Sequence, residues 1–268
     1  ESARFNADTQ ARHARTLWAA ALSEGDELAR SLDSALRHRD FFTLEGTSAT
    51  RVGLAFSVGT REGRGPFHAI RRAMPLLVRL QQLSLRWEEP GSWRAAHGAK
   101  FPLWDLGFGE RNKVLGVLSL VNPILRFFSD ERVDYYQRAL GVPAARDVSW
   151  VPRHLPFQIL RLGSLSIATL PHEATTVAGR RIREALGRVL GGRIVVSPYS
   201  NAYCGYLTTP EEYDAQCYEG AATLYGRESL AAVIGALVEI ASAMKLGGAR
   251  ATLGRIPRTI PLEWCLSA

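Results

Sequence analysis

The chain holds 268 residues, 46% apolar and 22% charged, enough to bury a sizeable core and unlike a disordered or collagenous sequence. Its net charge of +7 comes almost wholly from arginine, with lysine only at Lys100, Lys113 and Lys245. Scattered solvated arginines are the plain reading of that charge, and contact with an anionic membrane surface is the functional one; with no zinc-finger spacing, RNA-binding aromatic motif or basic block, nucleic acid is excluded as a partner.

In chain order, Leu17, Ala20, Ala21, Leu28, Leu32, Ala35 and Leu36 recur at helical spacing and predict a helix or helix pair over 10–38. "RVGLAFSV" (51–58) reads as a strand, followed by a turn-rich loop, a helix over 67–86 and a long irregular connection over 88–112. "FQILRLGSLSIATLP" reads as a hairpin turning at Gly163–Ser164. Next comes a helix with an Ile182, Ala185, Leu186, Val189, Leu190 stripe, capped by Thr175 or Thr176 and ended by Gly191–Gly192. "RIVVSPYS" is a strand, and Thr209-Pro210-Glu211-Glu212 has the form of a capping box. A last helix fills 227–246; its apolar run, 230–244, contains Glu239 and is shorter than the roughly 18–20 residues of a membrane span. The expected fold class is α/β, a mixed sheet with flanking helices, with residues 1–50 as a helical lead-in and 51–268 carrying the motifs.

Two strand-to-helix junctions concentrate polar groups: Glu173 after one strand, and Asn201, Tyr203 and Tyr206 after another. Ligands collect at the carboxyl ends of strands in α/β folds. Glu173 either caps the helix or pairs with Arg180 or Arg181, or it serves as a metal ligand or general base. Tyr203 and Tyr206 are packed rings or phenols at a metal, which must sit beside a cation to ionise near neutrality. Tyr218 is a packed ring or a hydrogen-bond donor to a carbonyl oxygen gaining charge. Glu211 and Glu212 favour a helix N-terminus. His172 neighbours Glu173, but adjacent residues of an extended strand point opposite ways. Cys204, Cys217 and Cys265 make an odd count, with no full disulfide framework and no histidine paired in sequence to either of the first two.

The stretch "NAYCGYLTTPEEYDAQCYEGAATLYG" closely resembles a signature of the neutral (non-lysosomal, alkaline) ceramidases, N-x-Y-x-x-Y-x-T-T-x-E-E-Y-x-x-Q-x-Y-E-x-A-S-T-x-Y-G. "LPFQILRLGSLSIATLPHEATTVAGRRIREAL" (155–186) resembles the family's stretch ending P-G-E-F-T-T-x-x-G-R-R-x-R-E, and "FSVGTREGRGP" (56–66) its A-A-G-T-x-D-G loop. The resemblance implies a zinc-dependent amidase that cleaves the N-acyl bond of ceramide, and a secreted or periplasmic location. It implies Glu173 and Tyr206 as ligands to Zn2+, with Tyr218 beside Tyr206 at the reacting amide; Tyr203, Asn201 and His172, which flank these positions in the sequence, are expected at the substrate.

His172 and Ala174 stand where the family has Gly and Phe, and both are expected to alter pocket and substrate. The family's zinc histidines and its G-D-V-S-P-N stretch, which belong to the N-terminal half of the catalytic domain, are not found in the chain. The chain therefore reads as the second half of that domain, with the N-terminal half supplied by a separate chain or a cleaved product that brings the histidine ligands. Two other readings stand beside this one: a non-catalytic lipid-binding or scaffold subunit, and an amidase of this lineage acting on a non-sphingolipid amide.

Overall fold

The computed structural model describes residues 2–24, 32–47, 50–60, 64–65, 68, 72, 76, 95–98, 100, 102–106 and 151–246. Helix α1 (Ser2–Glu24) comes first and exposes Phe5, Leu17 and Trp18. Strand β1 (Leu32–Asp40) follows, where the apolar spacing predicts helix. The reason is tertiary: β1 pairs antiparallel with β4 (His154–Leu162) along its whole length, Leu32 opposite Leu162 and Asp40 opposite His154. Its register is pinned at one end by Arg153, whose guanidinium grips the Asp40 carboxylate at 2.6–2.8 Å.

Strand β2 (Thr50–Gly53) turns directly into the one-turn helix α2 (Leu54–Val58), so only the first half of the expected strand is extended. Strand β3 (Pro102–Leu106) pairs antiparallel with β2 inside the stretch expected to be irregular. The expected helix over 67–86 and the rest of 88–112 lie outside the described residues, apart from the positions named above.

From residue 154 the elements follow the sequence pattern. β4 and β5 (Leu165–Thr169) form the antiparallel hairpin, turning at Gly163 with φ 57°. The amphipathic helix α3 (Thr176–Leu190) starts at Thr175, whose Oγ1 accepts from Ala178 N–H at 3.3 Å, and stops at Gly191 and Gly192, both with positive φ. It returns the chain to β7 (Arg193–Ser197), parallel to β5. The sheet order is β1-β4-β5-β7, mixed as expected. Helix α6 (Ser229–Lys245) packs beside α3 and on β1 and β4.

Between helices and sheet lies the core: Leu155, Phe157, Ile159, Ala168, Ile182, Leu186, Leu237 and Ile240 are all at most 1% exposed. Each such Leu, Ile or Phe side chain contributes on the order of 1.5–3 kcal/mol on burial. At one end an aromatic cluster of Phe41, Phe157 and Tyr225 closes the core; Phe41 lies 5.6 Å from Phe157 and 5.2 Å from Tyr225, ring centre to ring centre. Tyr225 anchors the cluster by donating to Pro152 O at 2.6 Å.

Candidate active site

Past the ends of β5 and β7 the chain forms a second, very short sheet. Strands β6 (Glu173–Ala174) and β8 (Tyr206–Leu207) run parallel, with Glu173 opposite Tyr206 and Ala174 opposite Leu207. Residues directly opposite in a ladder project to the same face. The carboxylate of Glu173 and the phenol of Tyr206 therefore leave the backbone side by side. Three bonds fix the ladder: Glu173 N–H to Gly205 O at 2.9 Å, Thr175 N–H to Leu207 O at 3.0 Å, and Cys204 N–H to Pro171 O at 2.9 Å.

The same local sequence braces the ladder from behind. Thr209 and Glu212 form a complete capping box at the start of α4 (Pro210–Asp214), as the T-P-E-E pattern predicts. Thr175 Oγ1 donates to Glu212 Oε2 at 2.7 Å, so the starts of α3 and α4 are tied to one another. Arg181 on α3 pairs with Glu211 at 3.0 Å rather than with Glu173, and holds the Glu211 carboxyl down to about 2. Glu173 is thereby left out of both helix caps and of the Arg181 pair.

Tyr218 opens the one-turn helix α5 (Tyr218–Ala221). Its ring stacks on Phe56 of α2 at 5.0 Å and meets Tyr206 edge-on at 5.8 Å. Glu173, Tyr203, Tyr206 and Tyr218 line a single cleft of about 320 Å³, whose other walls are apolar: Val52, Phe56, Val151, Pro152 and Leu224.

Tyr203 donates to Glu173 Oε2 at 3.3 Å and stacks almost parallel on Tyr199, 5.8 Å away. Both rings are 56% exposed. Their turn holds Tyr199 (φ 56°) and Asn201 (φ 68°) in left-handed backbone, a strained conformation that clusters at functional sites. Burial and the Glu173 carboxylate together raise the surrounding phenols above their ordinary values. Its hydrogen bond pushes Tyr199 up to about 12; burial and then the charge of Glu173 push Tyr203 up to about 12. Tyr206 is also raised, by burial first and then by its hydrogen bond to Glu173.

Not every expected residue reaches the cleft. His172 turns the other way, as alternation along a strand requires. Its ring is fully buried against Phe41, Phe157 and Tyr225, at 5.8, 6.3 and 6.1 Å between ring centres, and burial pushes it down to about 3. It is not among the residues that line the cleft. Asn201 donates instead to Gln158 Oε1 at 3.2 Å and to Thr169 Oγ1 at 3.3 Å, holding its turn against the main sheet. Ala174 also lies off the cleft lining, so neither departure at 172 or 174 changes the cleft wall directly. Tyr199 and Phe56 are cleft neighbours that the sequence reading passes over; the run of tyrosines 199, 203 and 206 is the signal that points to the first. Cys204 is buried and Cys217 exposed, both unbridged, and Cys265 lies outside the described residues.

Glu173 and Tyr206 offer two oxygen donors on one face of a rigid ladder, a set that suits zinc or another hard to borderline cation. Among the described residues no three His, Cys, Asp or Glu side chains converge into a metal cluster. A zinc centre with three protein ligands therefore requires donors beyond these two.

Residues 138–235 match the family model for the neutral/alkaline non-lysosomal ceramidases, N-terminal. A neutral ceramidase of Mycobacterium tuberculosis is 42% identical over 123 residues, 44% of this chain and 19% of that protein. Neutral ceramidase 2 of Arabidopsis thaliana is 43% identical over 108 residues, 37% of this chain and 14% of that protein. In structure, a ceramidase complexed with C2 superimposes with a TM-score of 0.60 and 27% identity, covering 88% of this chain and 34% of that one. The neutral ceramidase from Pseudomonas aeruginosa gives 0.55 and 26%, covering 91% and 33%. The match thus spans less than a fifth of these curated relatives and about a third of the solved chains. Over that span the chain is a sequence and structural relative of the neutral ceramidases.

Proposed function

We propose that this relative of the neutral ceramidases is the Glu173–Tyr206–Tyr218 portion of a zinc-dependent amide hydrolase. It acts on ceramide or a related N-acyl lipid, releasing a fatty acid and a sphingoid base. The observation that carries this reading is the pairing of Glu173 with Tyr206 across β6–β8, at the mouth of a cleft walled by Tyr218 and apolar side chains.

Each residue has a task. Glu173 and Tyr206 hold Zn2+, together with histidines from an N-terminal half of the same catalytic domain, delivered as a separate chain or a cleaved product. When bound, the metal supplies polarisation of the amide carbonyl and activation of water. Tyr218, fixed between Phe56 and Tyr206, donates its phenolic proton in a hydrogen bond to the amide oxygen as that oxygen gains charge. Tyr203 holds the Glu173 carboxylate in place from the solvent side. Val52, Phe56, Val151 and Leu224 exclude water and accommodate the chain of an N-acyl group. The positive net charge favours approach to an anionic membrane surface bearing such a lipid.

The test is zinc content together with a substrate panel. The protein purified with whatever polypeptide accompanies it is assayed against ceramides, N-acyl amino acids and short amides. The proposal expects bound zinc and release of fatty acid from ceramide or a close analogue. A zinc-free, inactive assembly supports the non-catalytic subunit instead, and hydrolysis confined to short amides moves the substrate away from sphingolipids.

A further inference from the structure

The turn between β7 and β8, residues 198–205, lies against residues 170–173 and is laced to them by backbone bonds. Leu170 N–H donates to Ser197 O at 3.1 Å, and Tyr199 N–H to His172 O at 3.1 Å. Ser200 N–H donates to Leu170 O at 3.0 Å, and Cys204 N–H to Pro171 O at 2.9 Å. Side chains pin the same turn to the main sheet. Asn201 donates to Gln158 and Thr169, and Gln158 donates to Ser34 Oγ at 3.0 Å. The turn is thus a frame around Glu173, fixed on two sides.

Within that frame Tyr199 occupies left-handed backbone, φ 56°. A bulky side chain is disfavoured there, and glycine or asparagine is the ordinary occupant. Asn201, at φ 68°, is such a case. Strain of this kind persists where the surroundings over-determine it, and it directs attention to what the strained side chain does. The Tyr199 ring lies 5.8 Å from the Tyr203 ring and within 4° of parallel, a stacked pair. Tyr203 in turn donates to Glu173 Oε2 at 3.3 Å, and the Tyr199 hydroxyl reaches the same carboxylate. Tyr203 is among the residues that line the cleft and Tyr199 is not. The route from Tyr199 to the site therefore runs through Tyr203 and Glu173.

The β6–β8 ladder fixes the backbone of Glu173, not the torsions of its side chain. The helix caps and Arg181 engage Glu212 and Glu211 instead. Among the described residues, phenols are what orient the Glu173 carboxylate. Outer hydrogen bonds of this kind hold ligating carboxylates in place, and losing one costs about 10–100-fold in metal affinity.

We infer that Tyr199 is a positioning residue: stacked on Tyr203, it completes a two-phenol clamp that sets the orientation of the Glu173 carboxylate opposite Tyr206. The clamp stands on contacts within this chain; its consequence for zinc rests on the amidase reading.

The experiment is a double-mutant cycle on the protein with any polypeptide that co-purifies with it. Tyr199→Asn removes the ring at a position whose backbone suits asparagine, Tyr203→Phe removes the donor, and a third variant carries both changes. Zinc affinity is measured by competition with a chromophoric chelator, and the urea midpoint alongside it. Each single variant should lose about tenfold in zinc affinity. The double variant should lose no more than about threefold beyond either, because the pair acts as one unit. Tyr199→Asn should keep its urea midpoint, since relief of the left-handed strain offsets the lost stack. Tyr199→Phe, which keeps the stack, should lose less zinc affinity than Tyr199→Asn. Undiminished zinc affinity in Tyr199→Asn overturns the proposal. So does a double-variant loss equal to the product of the single losses, or a loss that tracks a fallen urea midpoint. Crystals of the metal-free protein supply an arm without zinc: the Tyr203–Glu173 hydrogen bond should be present in the wild type and lost in Tyr199→Asn. A bond retained in that variant, or absent from both, overturns the clamp. If the bond behaves as expected and the wild type itself binds no zinc, the clamp stands and the amidase reading falls.

Discussion

Glu173 and Tyr206, distant in sequence, stand opposite one another in a parallel ladder only two residues long. So short a ladder cannot hold itself. It is held by the hairpin and α3 on one side, and by the capping box, Thr175 and Glu212 on the other. The site's geometry therefore depends on Thr175, Thr209 and Glu212 behind the ladder as well as on the cleft residues themselves.

Gly205, immediately before Tyr206, sits at φ 79°, and a Cβ there would lie 2.7 Å from Ala222 O, the acceptor for Tyr206 N–H. Gly205→Ala should cost about 1–2 kcal/mol in left-handed strain alone, and displace Tyr206 from Glu173. Urea unfolding measures the first and zinc affinity of the assembled protein the second. Wild-type values in both would mean that the ladder tolerates a shift the contact distance does not allow.

Tyr218→Phe removes one hydroxyl and keeps the ring between Phe56 and Tyr206. Loss of a single donor to a developing oxyanion lowers kcat on the order of 10²–10³-fold. Zinc content and KM should change little. A variant with undiminished kcat would leave Tyr218 as a packed ring only.

Burial holds His172 neutral, with its folded-state value near 3 against about 6.5 unfolded. Between those values the unfolded chain binds the extra proton and the folded one does not. Stability is then fully present above about pH 6.5 and falls as pH drops towards 3, by at most about 1.4 kcal/mol per pH unit. The groups around the ring are Phe41, Phe157 and Tyr225, with no carboxylate among them. His172→Phe should flatten the plot of urea midpoint against pH over this window. An unchanged slope would place the acid sensitivity elsewhere.

Lys100 is fully buried; its ammonium donates to Arg51 O at 3.1 Å and to Thr223 O, and lies 4.8 Å from the centre of the Tyr213 ring. It bolts β2 to the turn after α5, and so fixes the Phe56 wall relative to Tyr218. Lys100→Met keeps the stem and removes the donors, which should destabilise the fold by about 1–3 kcal/mol. Thermal unfolding checks this, and a loss below a few tenths of a kcal/mol would mean that those carbonyls do not need the lysine.

The second half of the fold was legible because local and global signals agree there. Gly163 turns the hairpin, Thr175 and Gly191 bound α3, and Thr209–Glu212 starts α4, each where its chemistry predicts. The first half was not. Leu32, Ala35 and Leu36 have helical spacing, yet pairing with β4 draws them into a strand, and no local pattern carries that information. "RVGLAFSV" is a short apolar run whose period cannot separate strand from helix, and it contains both. At the site, spacing alone offered Glu173 and the tyrosines as separate candidates, and only the family resemblance joined Glu173 to Tyr206. A two-residue ladder has no period to read. His172 and Asn201 lie beside the right residues in sequence but turn into the core and onto the main sheet, because adjacent positions face opposite ways.

Fatty-acid release from an N-acyl sphingoid base, measured on the protein with any polypeptide that co-purifies with it, decides whether Glu173 and Tyr206 hold a catalytic metal. Zinc is quantified in the same samples. The wild type should release fatty acid, chelation should abolish that release and added Zn2+ should restore it. Glu173→Gln should lose metal and hydrolysis together, with zinc affinity down more than tenfold, about 1.4 kcal/mol, and Tyr206→Phe should weaken zinc. Release that persists undiminished in Glu173→Gln, or zinc bound as tightly by that variant as by the wild type, would contradict it.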